Sequence, residues 1–131
     1  MNKNMNRLCV MGLKFCKHYE INHNVESNVL TLKVWLSQDT FVTFTCAPNI
    51  VENEDDIIVR AYKQSQKSYL PSLRLGMIDK LCGKAARKKA PYNKYAIVSI
   101  AKALEIIQNI NTYSGKVEKL HFYPTSPEGV I

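Results

Sequence analysis

The residues best able to do chemistry in this sequence are cations, and they gather in one third of it. Residues 60–95 hold ten Lys and Arg against a single acid, Asp79. The densest part is CGKAARKKAPYNK, residues 82–94. Lys80, Lys84 and Arg87 follow one another at i, i+4 and i+7, a spacing that puts them on one side of a helix. Gly76 and Gly83 project to the same side, so bare backbone would lie beside the charge. Arg60, Lys63 and Lys67 repeat the theme at i, i+3 and i+7, and Tyr62, Tyr69, Tyr92 and Tyr95 are interleaved with the cations. The chemistry such a set performs is phosphate recognition. Cations neutralise phosphates and release counterions, glycines let a backbone approach closely, and exposed tyrosines stack on unpaired bases. The expected contacts are Arg60, Lys63, Lys67, Lys80, Lys84, Arg87, Lys88, Lys89 and Lys94, with Tyr92 and Tyr95 as stacking groups.

The charge is polarised along the chain. Of the net +7, residues 1–19 carry +4, residues 20–59 carry −6, residues 60–95 carry +9, and the remainder is neutral. An uneven distribution of this kind makes a surface field that steers polyanions or an acidic partner. The sequence therefore predicts a small basic protein that binds nucleic acid in an accessory or regulatory role. The alternative partner is an acidic protein surface, bound by an inhibitor or adaptor of phage or mobile-element type. Richness in Lys, Asn and Ile, whose codons are A/T-rich, is compatible with such a source. Edge strands also leave a homodimer open.

More specific chemistry is not written in the chain. CGKAAR is no phosphate-binding P-loop, because Ile78 stands where Gly is required and Ala85 where Ser or Thr is required. KKAPYNK is too long, and contains a proline, for the turn of a helix-turn-helix. The acidic group Glu52, Glu54, Asp55 and Asp56 suits a helix N-terminus better than a metal, and no nuclease-type lysine motif follows it. Cys16, His18 and His23, with Cys46, match no standard zinc spacing. The four cysteines read as reduced packing thiols, three of them on apolar-patterned segments. His18, His23 and His121 could act as general bases, which keeps a metal-independent ribonuclease as a remaining alternative. No catalytic residue, metal ligand or cofactor is assigned, and the balance leans against an enzyme.

The positioning elements follow from periodicity. LKFCKHYEI, VLTLKVWLS and TFVTFTCA alternate apolar and polar side chains, the mark of strands. Short polar connectors make them an antiparallel meander. NEDDIIVRAYKQSQK reads as a first helix, with Asn53 as N-cap and Ile57, Ile58, Ala61, Tyr62 and Ser65 on one face. Pro71 and Ser72 open a second helix with Met77, Ile78, Leu81, Cys82 and Ala85 as its apolar stripe, and Pro91 closes it. A third helix covers about 94–110, and KVEKLHFYP gives a final strand. The expected fold is α+β: a three-stranded antiparallel meander, then three helices and a C-terminal strand, with the helices on one face of the sheet. Length predicts one domain over 1–131, with 1–6 and 125–131 as flexible tails. With no apolar run long enough to span a bilayer and no signal-like start, a cytoplasmic protein without membrane contact is expected, inside a host cell if viral.

Overall fold

Alternating side chains build the sheet, and three amphipathic helices cover one of its faces. The computed structural model describes residues 3–48, 51, 53, 55–64, 71–88 and 94–110. Its elements in chain order are α1 (Lys3–Phe15), β1 (Tyr19–Asn24), β2 (Val29–Trp35), β3 (Thr40–Cys46), β4 (Asp56–Lys63), β5 (Ser72–Leu73), α2 (Leu75–Cys82), α3 (Lys84–Lys88), β6 (Ala96–Ser99) and α4 (Ile100–Gln108). The strands run β1-β2-β3-β4, each antiparallel to its neighbour. The far edge of β4 is shared. Asp56 to Val59 pair with β6, and Tyr62 and Lys63 pair with β5.

The period of two decides which residues enter the core. Leu30, Leu32 and Val34 of β2 align with Cys46, Phe44 and Val42 of β3. Ile57, Val59 and Ala61 continue that row on β4, and Ala96 and Val98 on β6. All are buried. Against them pack Met5, Leu8 and Cys9 of α1, Ile78 and Leu81 of α2, and Ala103, Ile106 and Ile107 of α4. Gly12 fixes how closely α1 approaches, since a Cβ there would lie 2.9 Å from Leu32 Cδ1. The turns are closed by short polar side chains. Asn24 Oδ1 accepts from Ser27 N–H (3.1 Å), and Ser37 Oγ accepts from Thr40 N–H (3.1 Å). Asn28, at φ 56°, adopts the left-handed conformation that Asn tolerates.

The α+β class and the antiparallel meander agree with the expectation from sequence, but the order of helices does not. A helix comes first. Residues 3–6, expected to be part of a tail, form the opening turn of α1 with Asn4 and Met5 buried. The first strand accordingly starts at Tyr19 and not at Leu13. Residues 56–63, expected as helix, form β4. Asn53 does cap, but what it caps is a turn leading into a strand. Its Oδ1 accepts from Asp55 N–H (3.0 Å) and its carbonyl from Asp56 N–H (2.9 Å). The second expected helix begins later, because Ser72 and Leu73 pair with β4. It breaks at Gly83, whose φ of 90° and ψ of 147° only glycine adopts readily. Ala85, beyond the break, is exposed, so it leaves the apolar stripe. The third expected helix loses its first turn to β6, and α4 starts only after Ser99, whose Oγ accepts from Lys102 N–H (3.1 Å) as an N-cap. The expected C-terminal strand over KVEKLHFYP, and the tail at 125–131, lie outside the described residues.

Because Leu8 is fully buried between α1 and the sheet, Leu8→Ala should cost about 2–5 kcal/mol of stability. Urea unfolding followed by circular dichroism checks this. A loss below about 0.5 kcal/mol, the range of surface substitutions, would show that α1 does not close the core.

Candidate polyanion interface

Three local devices shape the cationic region: the end of the β3–β4 pair, the start of α2, and the glycine break after it. At the first, Thr40 and Lys63 are register partners. The Lys63 ammonium lies 3.6 Å from the Asp39 carboxylate, with both side chains about half exposed. At the second, Arg74 N–H donates to Ala61 O (2.8 Å), which seats the head of α2 on β4. Arg74 itself is exposed. It stands at the N-cap position but makes no side-chain cap, and the first turn of α2 holds no acid. The first intrahelical bond runs from Ile78 N–H to Arg74 O (3.2 Å). The N–H groups of Leu75, Gly76 and Met77 therefore precede the helical ladder, at the positive end of the helix.

These parts border an open, shallow cleft of about 620 Å³ lined by Thr40, Lys63, Leu73, Arg74, Leu75, Gly76 and Met77. Gly76 keeps it open, for nothing lies within 4 Å of where its Cβ would be. Lys80, one turn further along α2, is exposed. Two cations, bare backbone and a helix N-terminus form a setting that attracts anions.

At the glycine break, Arg87 folds back on Asp79. Its Nε donates to Oδ1 (2.6 Å) and its Nη2 to Oδ2 (3.0 Å), a two-pronged pair across Gly83. The hydrogen bond from Arg87 holds the Asp79 carboxyl below the usual carboxylate range, with the charges of Arg87 and Lys84 adding to it. The same bond raises Arg87. Arg87 is thus committed to holding α3 against α2.

The cations expected to act together fall in separate places. Lys63 lines the cleft. Lys80 and Lys84 are exposed on α2 and α3, where among the described residues neither forms an ion pair. Their helical spacing to Arg87 is interrupted at Gly83. Arg60 and Lys63 do not share the face expected of them, since residues three apart on a strand point to opposite faces. Arg60 emerges on the sheet face away from the helices, its guanidinium 4.7 Å from the Tyr95 ring centroid. Tyr95 is half-buried under it, and Lys94 is exposed. Lys88 belongs to α3, while Lys67, Lys89 and Tyr92 lie outside the described residues. Sequence reasoning passed over Arg74 and Thr40. Arg74 is offset from both expected stripes, and its role appears only once β5 and α2 meet at the β4 edge.

The same outer sheet face carries an aromatic row. Trp35, Phe41 and Tyr62 are register neighbours on three strands, with centroids 4.8 and 5.2 Å apart. The Lys33 ammonium sits 4.2 Å from the Phe41 centroid and 4.7 Å from that of Trp35. At 6% and 4% exposure, Trp35 and Phe41 are packed residues and not a platform for bases.

Two of the described thiols are strongly raised by burial. Burial pushes the Cys16 thiol up to about 12. Cys82 is raised to about 11, mainly by burial, with Lys102 opposing and Asp79 reinforcing the shift. Among the described residues no three His, Cys, Asp or Glu side chains gather as a metal site, and no helix is long and apolar enough to cross a membrane. Compared with known proteins, the chain matches no family, no curated protein and no solved structure.

Two outcomes follow. The Asp79–Arg87 pair contributes fully above the ordinary carboxylate range and is lost as pH falls through the lowered Asp79 value. Asp79→Asn should therefore lower the urea midpoint at pH 7, and the gap to the parent should narrow by pH 3. An equal gap at both pH values would contradict the pairing. The raised thiols should make Cys16 and Cys82 react with iodoacetamide at pH 8 at least about tenfold more slowly in native than in urea-unfolded protein, as read by mass spectrometry of the labelled peptides. Equal rates would contradict their burial.

Proposed function

We propose that this protein binds nucleic acid through its phosphate backbone, with the cleft at the head of α2 as the anchoring point. The observation that carries the reading is that cleft, where Lys63 and Arg74 flank the open backbone of Gly76 at a helix N-terminus without a side-chain cap. A phosphate seated there meets Arg74 and oriented N–H groups together, and competes with the Asp39 carboxylate for Lys63. Lys80 and Lys84 extend the positive surface along α2 and α3, and the net charge of +7 draws the polyanion in.

The geometry favours contact with the sugar-phosphate strand over base reading. Trp35 and Phe41 are closed off, and the described helices present no clear pair of groove-reading side chains. Such a binder recognises charge and strand shape, the property of an accessory or regulatory protein. Arg87 plays a supporting part on this reading. Its guanidinium fixes the angle between α2 and α3, which sets the spacing of Lys80 from Lys84.

Electrophoretic retardation with single- and double-stranded DNA and RNA tests the proposal. Binding is expected near 50 mM salt and should weaken steeply by about 200 mM. The Arg74→Glu, Lys80→Glu double variant should lose at least about tenfold in affinity with an unchanged melting temperature, since both positions are exposed. Retardation of no nucleic acid at low salt, or an unaltered affinity in the double variant, would overturn the reading.

A further inference from the structure

Away from the cleft, the outward face of α1 combines features that a solvated helix face rarely joins. Its inward side buries Met5, Leu8, Cys9 and Gly12. Val10, nearly opposite them, is 52% exposed, and Leu13, on the flank beside Cys9, is 61% exposed. Lys3, Arg7 and Lys14, all exposed, line the side of Val10 away from Leu13, and Lys17 stands just beyond the helix. No acid occurs anywhere in residues 1–19. Solvated helices commonly intersperse acids with bases, which offsets like-charge repulsion along the face. Within α1 that offset is missing; a carboxylate from outside it, Asp55, accepts from Asn4 Nδ2 (2.7 Å) near the start of the helix.

We propose that the outward face of α1 is a docking surface for an acidic amphipathic segment of a partner protein. The partner's carboxylates meet Arg7, Lys14 and Lys17, and its apolar side chains cover Val10 and Leu13. Charge complementarity selects this occupant. A second copy of the chain, itself at +7, is repelled. A lipid surface would find only two short aliphatic side chains and no exposed aromatic on α1, too little for insertion. A nucleic acid would use the cations but gain nothing from Val10 and Leu13. An interface of this form joins an apolar strip to a charged border, the two components of protein–protein contacts. The surface is separate from the cleft, because α1 packs on β2 and α4 while the cleft opens between the β3–β4 end and α2. The two proposals therefore stand or fall apart.

The test titrates isotope-labelled full chain with a synthetic helical peptide of about 20 residues, long enough to hold a helix in water. Leu occupies its i, i+3, i+4 and i+7 positions and Glu its remaining face, and a twin peptide carries Lys in place of Glu. The Glu peptide should shift amide signals of α1, centred on Arg7 to Lys14, and the Lys peptide should not. Affinity should fall at least about tenfold in Val10→Ser, Leu13→Ser and equally in Arg7→Glu, Lys14→Glu, as expected when the apolar strip and its charged border act together. Since all four positions are exposed, circular dichroism melts should match the parent. Loss on charge reversal alone would reduce the surface to a general polyanion contact and overturn the proposal. So would signal shifts centred outside α1, tighter binding to phosphatidylserine vesicles than to the peptide, or self-association through α1.

Discussion

The structure depends on β4 being a central strand. Ile57, Val59 and Ala61 are completely buried, with β3 on one side, β5 and β6 on the other, and α2 and α4 above. A segment with neighbours in every direction must satisfy its backbone by pairing and its side chains by close packing. Three β-branched residues in succession, Ile57, Ile58 and Val59, suit that position. Once β4 is in place, the rest is arranged around it. Its Lys63 end meets Thr40 and β5, which sets the head of α2 and opens the cleft. Its Asp56 end pairs with β6, which launches α4. Its alternate residues, Ile58, Arg60 and Tyr62, pass to the outer face and join the aromatic row.

Charge is distributed by the same alternation. Lys63 and Arg60 are three residues apart, yet one lines the cleft and the other lies across the sheet beside Tyr95. The glycine break does for α2 and α3 what the pleat does for β4. It turns the chain, and Asp79 then spends one cation, Arg87, on structure. The molecule thus divides its positive residues between bracing and exposure. Those left facing outward, Arg74, Lys80 and Lys84 near α2 and Lys3, Arg7 and Lys14 on α1, form two separate surfaces.

Much of this was legible in the sequence, and the failures have physical causes. β2 and β3 read correctly because Leu30, Leu32 and Val34, like Val42, Phe44 and Cys46, alternate with less buried residues, and only Trp35 and Phe41 at their paired ends depart from that pattern. The body of α4 read correctly because Ile100, Ala103, Ile106 and Ile107 keep helical spacing. α1 was hidden by its Asn-rich start and by Gly12, which contributes to the buried face without an apolar side chain. The spacing Met5, Leu8, Cys9, Gly12 was the available signal. β4 was misread because Ile57, Ile58, Ala61 and Tyr62 fit a helical stripe as well as Ile57, Val59 and Ala61 fit an alternation, and the acids before them suit a helix N-terminus. A strand buried on one face and half-covered on the other loses the polar alternation that would settle the matter. For the candidate site, the excess of cations was plain from composition. Their grouping was not, because Arg74 meets Lys63 only through pairing across β4.

The most direct check on this account is the backbone conformation of residues 56–63. Cα chemical shifts measured by nuclear magnetic resonance on the folded chain should show strand values throughout Asp56–Lys63, with the slowest amide exchange in the molecule among Ile57 to Ala61. Helical shifts over that segment, or amides there that exchange as fast as those of the turns, would remove the strand on which the cleft, the outer aromatic row and the placement of the helices all rest.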